Sequence, residues 1–153
     1  MQEGHDALIS SLDGVSDAQA AWKPAPDEWS ILELMDHVVT IKRFLVALTQ
    51  HMSQGAWPPG LTEAWQEESA QDGATVARFT SIAEARDAAD AAHDALLAFL
   101  RGVTPEMNTE KTFTHFLFGA MNFREWIIFE RIHDGDHGPT IARIKSREGY
   151  PAG

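Results

Sequence analysis

Apolar residues recur at helical spacing in three stretches of this chain, and more faintly in a fourth. Residues 30–51, SILELMDHVVTIKRFLVALTQH, place Leu34, Val38, Ile41, Leu45 and Leu48 on one stripe, the period of an amphipathic helix. Ser30 and Glu33 head the stretch at the spacing of a capping box, and Trp29 and Leu34 are set to form its hydrophobic staple. Residues 82–101, IAEARDAADAAHDALLAFLR, repeat the signature with Ser81 and Glu84. Their stripe of Ile82, Ala85, Ala89, Ala92, Leu96 and Leu100 is small in its first half, so a neighbouring helix can come close. Gly102 follows as a stop.

Residues 123–146 start after Asn122, with Glu125 at the capping distance, and carry Trp126, Phe129, Ile132, Ile141 and Ile144. An N-terminal helix over residues 2–12 rests on Ala7, Leu8 and Leu12. The connections, roughly 13–29, 52–80 and 102–121, are long. Such loops are uncommon in a compact domain unless they cross the fold or shape a site. Simple up-down bundles use short loops, whereas crossovers need long ones. The expectation is an all-α, four-helix bundle with long crossover connections, formed as a single domain over residues 1–153. The middle connection carries Trp57 and Trp65, which need something to pack against and are expected to lie across the bundle.

Composition narrows the chemistry. The chain has 23 acidic side chains against 12 Lys and Arg, a net charge of −11. Such a surface repels phosphate backbones, so no nucleic-acid partner is expected. Cysteine is absent, which removes disulfides, thiolate ligands and a cysteine nucleophile together. Any thiol in this protein's chemistry must then arrive as a substrate. No apolar run reaches membrane-spanning length. The N-terminal MQEGHDALISSLDG lacks the basic start and apolar stretch of a secretory signal, so the expected location is cytoplasmic.

The candidate chemistry lies in ERIHDGDHGPTIARI, residues 130–144. His133 and His137 stand four apart, which on a helix turns both imidazoles to one side. The bland alternative is a helix end carrying two partly exposed histidines, where positive charge suits the dipole. Three features favour a metal. The pair shares a side with Trp126 and Ile144; His37 sits mid-helix in phase with Glu33, Ile41 and Phe44; and bundle interiors build metal sites from facing helices. Three imidazoles with an open fourth position match catalytic rather than structural zinc. Pro139 should disturb the helix, because its ring opposes the Gly135 carbonyl. The expectation is a kinked or interrupted helix that still presents both rings.

Asp134-Gly135-Asp136 is a fragment of a calcium loop without the remaining ligands. The two aspartates read as solvated, or as acceptors orienting a ligand histidine. His5 falls near a terminus, His51 at a helix end, and His93 beside Asp94 on an outer face. His115 either lines a pocket or packs against the bundle end. Glu130, one turn before the pair, is the candidate general base, or else a surface carboxylate paired with Arg131 or Arg124. Trp29 and Trp126 either wall the pocket or belong to the core.

WKPAPDEWSILELMDHV, residues 22–38, resembles the W-x-P-x-x-x-x-W-S-x-x-E-x-x-x-H stretch of the DinB-like superfamily. HFLFGAMNFREWIIFERIHDGDHGPTIARIK, residues 115–145, is similar to its second signature: an aromatic-glycine turn, then a helix with W, H-x-x-x-H and an isoleucine-rich end. The resemblance implies a four-helix bundle of up-down-down-up topology, often homodimeric, with a divalent metal on His37, His133 and His137. Zinc and nickel are the metals it implies. Characterised enzymes of that kind include transferases using low-molecular-weight thiols. Gly138-Pro139 departs from the pattern, which more often continues with Arg or Gln. The expectation is thus a metal-dependent transferase or hydrolase acting on a small molecule, with a thiol as co-substrate. The alternative is a non-catalytic metal- or ligand-binding bundle, or a purely structural one.

Overall fold

The computed structural model describes residues 1–54, 77–107, 110–115 and 117–152. Trp57 and Trp65 lie outside them. Among the described residues five α-helices follow in order: α1 (Gln2–Ser11), α2 (Asp17–Ala21), α3 (Ile31–Ser53), α4 (Ile82–Leu100) and α5 (Phe123–Lys145). Between α4 and α5 come a 3-10 turn at Pro105–Met107 and an antiparallel hairpin, β1 (Thr112–His115) and β2 (Gly119–Asn122). The four long helices make a four-helix bundle. The hairpin and α2 are additions that the long connections concealed.

Side-chain caps set the helix starts. Ser30 Oγ accepts from Glu33 N at 3.1 Å while Glu33 Oε2 accepts from Ser30 N at 2.6 Å, a complete capping box. Asn122 and Glu125 do the same at the head of α5. At α4 only half the expected box forms: Ser81 caps Glu84 N, but Glu84 reaches back to Thr80 N instead.

Packing explains the long connections. α3 packs on both α4 and α5, and α1 packs on α5. Near its N-terminus α1 also reaches α4, through His5 to Asp90 and Gln2 to His93. Consecutive long helices α1 and α3 are therefore not the main packing partners, and neither are α4 and α5. The chain must cross the bundle between them, which short loops cannot do.

Two apolar clusters form the core. One gathers Leu8, Leu34, Val38, Ala89, Ile141 and their neighbours, and the other Ile41, Leu45, Leu48, Phe113, Phe123 and Trp126. Along α5 the first cluster uses residues after 140 and the second residues before 127. The turns between carry Glu130, His133, Asp134 and His137. A buried polar layer thus divides the core.

Pro139 does not interrupt α5, which runs helical from Phe123 to Lys145 with the proline inside it. The expected interruption is therefore absent. Proline removes the bond that would reach the Gly135 carbonyl. Gly135 and Pro139 are both exposed, so water can serve that carbonyl from the solvent side of the helix.

Candidate metal centre

α3 contributes His37 from its second turn, and α5 contributes His133 and His137 one turn apart. His133 Nε2 lies 3.1 Å from His37 Nε2 and 3.0 Å from His137 Nε2. Ligand-capable atoms of all three residues fall within 4.8 Å of one another. The structure brings together the three histidines that the sequence singled out.

The convergence makes poor sense for imidazoles alone. A single N–H at the meeting point can serve one neighbour, and His133 Nε2 faces two. Burial together with the neighbouring histidines and Lys42 holds His133 well below its usual range. His137 is pushed down to about 3, first by burial and then by His37 and Lys42. Neutral rings are the form that binds metal. Nitrogens about 2.0–2.1 Å from one ion stand roughly 3.0–3.4 Å apart, so the observed spacing fits an ion with little adjustment. Trp29 backs His37, ring centroids 4.8 Å apart, while itself packing on the first core cluster.

Glu130 is not the surface carboxylate that one reading of the sequence allowed. It is buried, and its Oε1 lies 2.9 Å from Lys42 Nζ in an ion pair without hydrogen-bond alignment. Burial raises its carboxyl to about 7, Lys42 pulling the other way and Asp134 adding to the rise. It shares a tight group with His133 and Asp134. Asp134 is buried rather than solvated, held by Lys42 Nζ at 2.5 Å, while Asp136 is exposed. Neither carboxylate bonds His133 Nδ1, which has no partner among the described residues. Lys42 is the residue that sequence reasoning missed. The signal was its spacing, one turn after Val38 and one before Leu45 on the inward stripe.

His115 and Trp126 lie further off. His115 is buried, and its Nδ1 accepts from the backbone N–H groups of Leu117 at 3.0 Å and Phe118 at 3.3 Å. It packs on Trp126 and Phe129. Phe129 in turn meets His133, with ring centroids 5.4 Å apart. Both residues thus reach the histidines through a phenyl ring; Trp126 is a core member of the second apolar cluster, and His115 packs against it. His5 and His93, expected at a terminus and on an outer face, are instead buried.

An open cleft of about 560 Å³ is lined in part by Asp27, Trp29, Thr140, Arg143, Ile144 and Arg147, and its lining includes none of the three histidines. Trp29 touches His37, and Thr140 follows His137 by one turn.

Fold and geometry together define a four-helix bundle with three histidines converging inside it. The chain belongs to the DinB superfamily, whose sequence pattern matches residues 1–141. It is 26% identical over 148 residues to the uncharacterized protein YuaE of Bacillus subtilis (strain 168), covering 90% of each chain. Its fold is similar to that of TT2238, a four-helix bundle protein, with a TM-score of 0.67 at 17% identity over 93% of this chain and 92% of that one.

Proposed function

We propose that this protein is a metal-dependent transferase or hydrolase acting on a small molecule, with zinc or nickel held by His37, His133 and His137. The observation that carries the reading is the approach of His37 Nε2 and His137 Nε2 to 3.1 and 3.0 Å from His133 Nε2, across facing helices. A divalent ion there would lower the pKa of a water or thiol brought to its open position. Two residues that the sequence offered as a fourth ligand each have one atom engaged elsewhere. Asp134 Oδ2 receives Lys42, and His115 Nδ1 receives two backbone N–H groups.

The chain's own groups divide the remaining work. The cleft lined by Trp29 and Thr140, neighbours of His37 and His137, is the candidate place for a small molecule. Glu130, poised near neutrality beside His133, is the candidate to hold or release a proton. With no cysteine in the chain, a low-molecular-weight thiol co-substrate is the source of any sulfur nucleophile. The proposal also includes a cytoplasmic homodimer that contacts neither nucleic acid nor membrane. Among the described residues no helix is long and apolar enough to cross a membrane.

The deciding experiment is metal content by mass spectrometry on tag-free protein beside a His37→Ala variant, followed by a screen of thiol transfer to electrophiles. One ion bound by the three histidines and lost on substitution, with turnover only in the loaded protein, supports the reading. A histidine triad that takes up neither zinc nor nickel at neutral pH sinks it.

A further inference from the structure

A second group of ligand-type side chains lies on the other side of Asp134. His5 from α1, His93 from α4 and Asp134 from α5 are 4%, 2% and 3% exposed. Each places a ligand-capable atom within 4.8 Å of the other two.

The hydrogen bonds fix which atoms remain for a ligand. His5 Nε2 lies 2.8 Å from the Asp90 carboxylate, which only accepts. His93 Nε2 lies 3.2 Å from Gln2 Oε1. The Gln2 amide is oriented by its own Nε2, which donates to Asp6 at 2.8 Å. In its neutral form each ring therefore carries its proton on Nε2 and turns a lone pair to Nδ1. Asp134 Oδ2 is taken by Lys42. The atoms left over are His5 Nδ1, His93 Nδ1 and Asp134 Oδ1, and none has a hydrogen-bond partner among the described residues.

Three buried acceptors in one place carry a desolvation cost that an occupant must offset. A water molecule offers two protons to three acceptors. A cation satisfies all three. The outer contacts are those of a metal site as well: a ligating histidine usually donates its other N–H to a carboxylate or carbonyl. Asp90 and Gln2 supply one each.

We propose that His5, His93 and Asp134 form a second divalent-cation site, selective by its two imidazoles and one carboxylate for zinc-like ions. It is separate from the histidine triad and ties α1 to α4 and α5. Burial and His5 push His93 down to about 4, keeping it in the ligating form at neutral pH. The two rings now stack, centroids 3.9 Å apart and planes 3° from parallel. In-plane coordination of one ion requires them to tilt apart, which is the rearrangement the site demands.

The test is an ion count after equilibrium dialysis of the full chain against zinc. Wild type is expected to hold two ions, and His37→Ala and His93→Gln one each. Asp90 is exposed, so Asp90→Asn should fold normally and weaken the second ion about 10- to 100-fold in a chelator competition, the usual effect of losing such an outer partner. One ion in wild type, lost in His37→Ala, overturns the second site and leaves the triad reading standing. One ion that survives His37→Ala and disappears in His93→Gln supports the second site and removes the triad reading. An Asp90→Asn protein that binds two ions at wild-type affinity also overturns it.

Discussion

Lys42 on α3 donates to Asp134 on α5 across 2.5 Å, and both side chains are sealed from solvent. Glu130 approaches the same ammonium at 2.9 Å. One cation thus faces two carboxylates in the layer that separates the apolar clusters. Breaking such a buried pair costs about 3–5 kcal/mol, because the partner is left charged and desolvated. Lys42→Met, close in volume, should therefore lower unfolding stability by about that amount in urea titrations. The loss should be larger at pH 8 than at pH 5. Burial already raises the Glu130 carboxyl and Lys42 opposes that rise, so without Lys42 it climbs further, and an acid with a raised folded pKa loses stability as pH rises. An equal loss at both pH values would mean that packing alone is responsible.

Pro139→Ala tests why α5 survives its proline. A proline inside a helix costs about 3 kcal/mol relative to alanine, but solvent access at Gly135 and Pro139 offsets part of that here. The variant should gain roughly 1–3 kcal/mol on thermal or urea unfolding. Metal uptake should not change, because His133 and His137 already sit on continuous helix. A variant that gains stability but loses metal would show that the proline sets the ring positions.

The bundle was legible because its signals are local and periodic. Ser30-Glu33 and Asn122-Glu125 marked helix starts that the backbone bonds reproduce. The stripe from Leu34 to Leu48 marked the buried face of α3. His37, His133 and His137 were readable from helical phase, and the resemblance pointed to the same three. Other features depended on partners remote in sequence. His93 looks outward beside Asp94 until α1 brings His5 against it. Lys42 looks like a surface lysine until α5 supplies Glu130 and Asp134. The short helix α2 did have a signal, since Ser16 and Gln19 form a capping box, but it lay in a stretch with no apolar stripe. The hairpin lay in KTFTHFLFG, where an alternation of four residues is too short to outweigh a neighbouring helix pattern.

His115 gives the hairpin an acid-sensitive clasp. Its Nδ1 accepts two backbone N–H groups of the turn, which an imidazolium cannot do. Burial lowers its pKa. A histidine with a depressed folded pKa contributes stability that is present above the unfolded value of 6.5 and lost as pH falls through the lower folded one. Metal-free protein should therefore loosen at the hairpin below pH 6.5, seen as faster amide exchange at Leu117 and Phe118. His115→Asn keeps an acceptor that does not titrate and should flatten that dependence. Exchange at the turn that ignores pH in wild type would show that the two bonds do not hold it.

Chelation separates a metal that the fold carries from one that it merely tolerates. An ion that binds the folded chain and not the unfolded one adds RT ln(1 + [L]/Kd), about 4 kcal/mol at a thousand times Kd. His133 and His137 bridge to His37 between α5 and α3, so an ion there joins two helices whose own polar layer is otherwise costly. Adding a strong chelator to zinc-loaded wild type should lower the midpoint of thermal unfolding by several degrees, and re-adding zinc should restore it. His37→Ala should show a smaller response, limited to whatever His5, His93 and Asp134 hold. The stability of loaded wild type should also fall as pH drops, because protons compete with the ion for the imidazoles. A midpoint indifferent to chelator, zinc and His37→Ala alike would mean that the three nitrogens converge without an ion to hold.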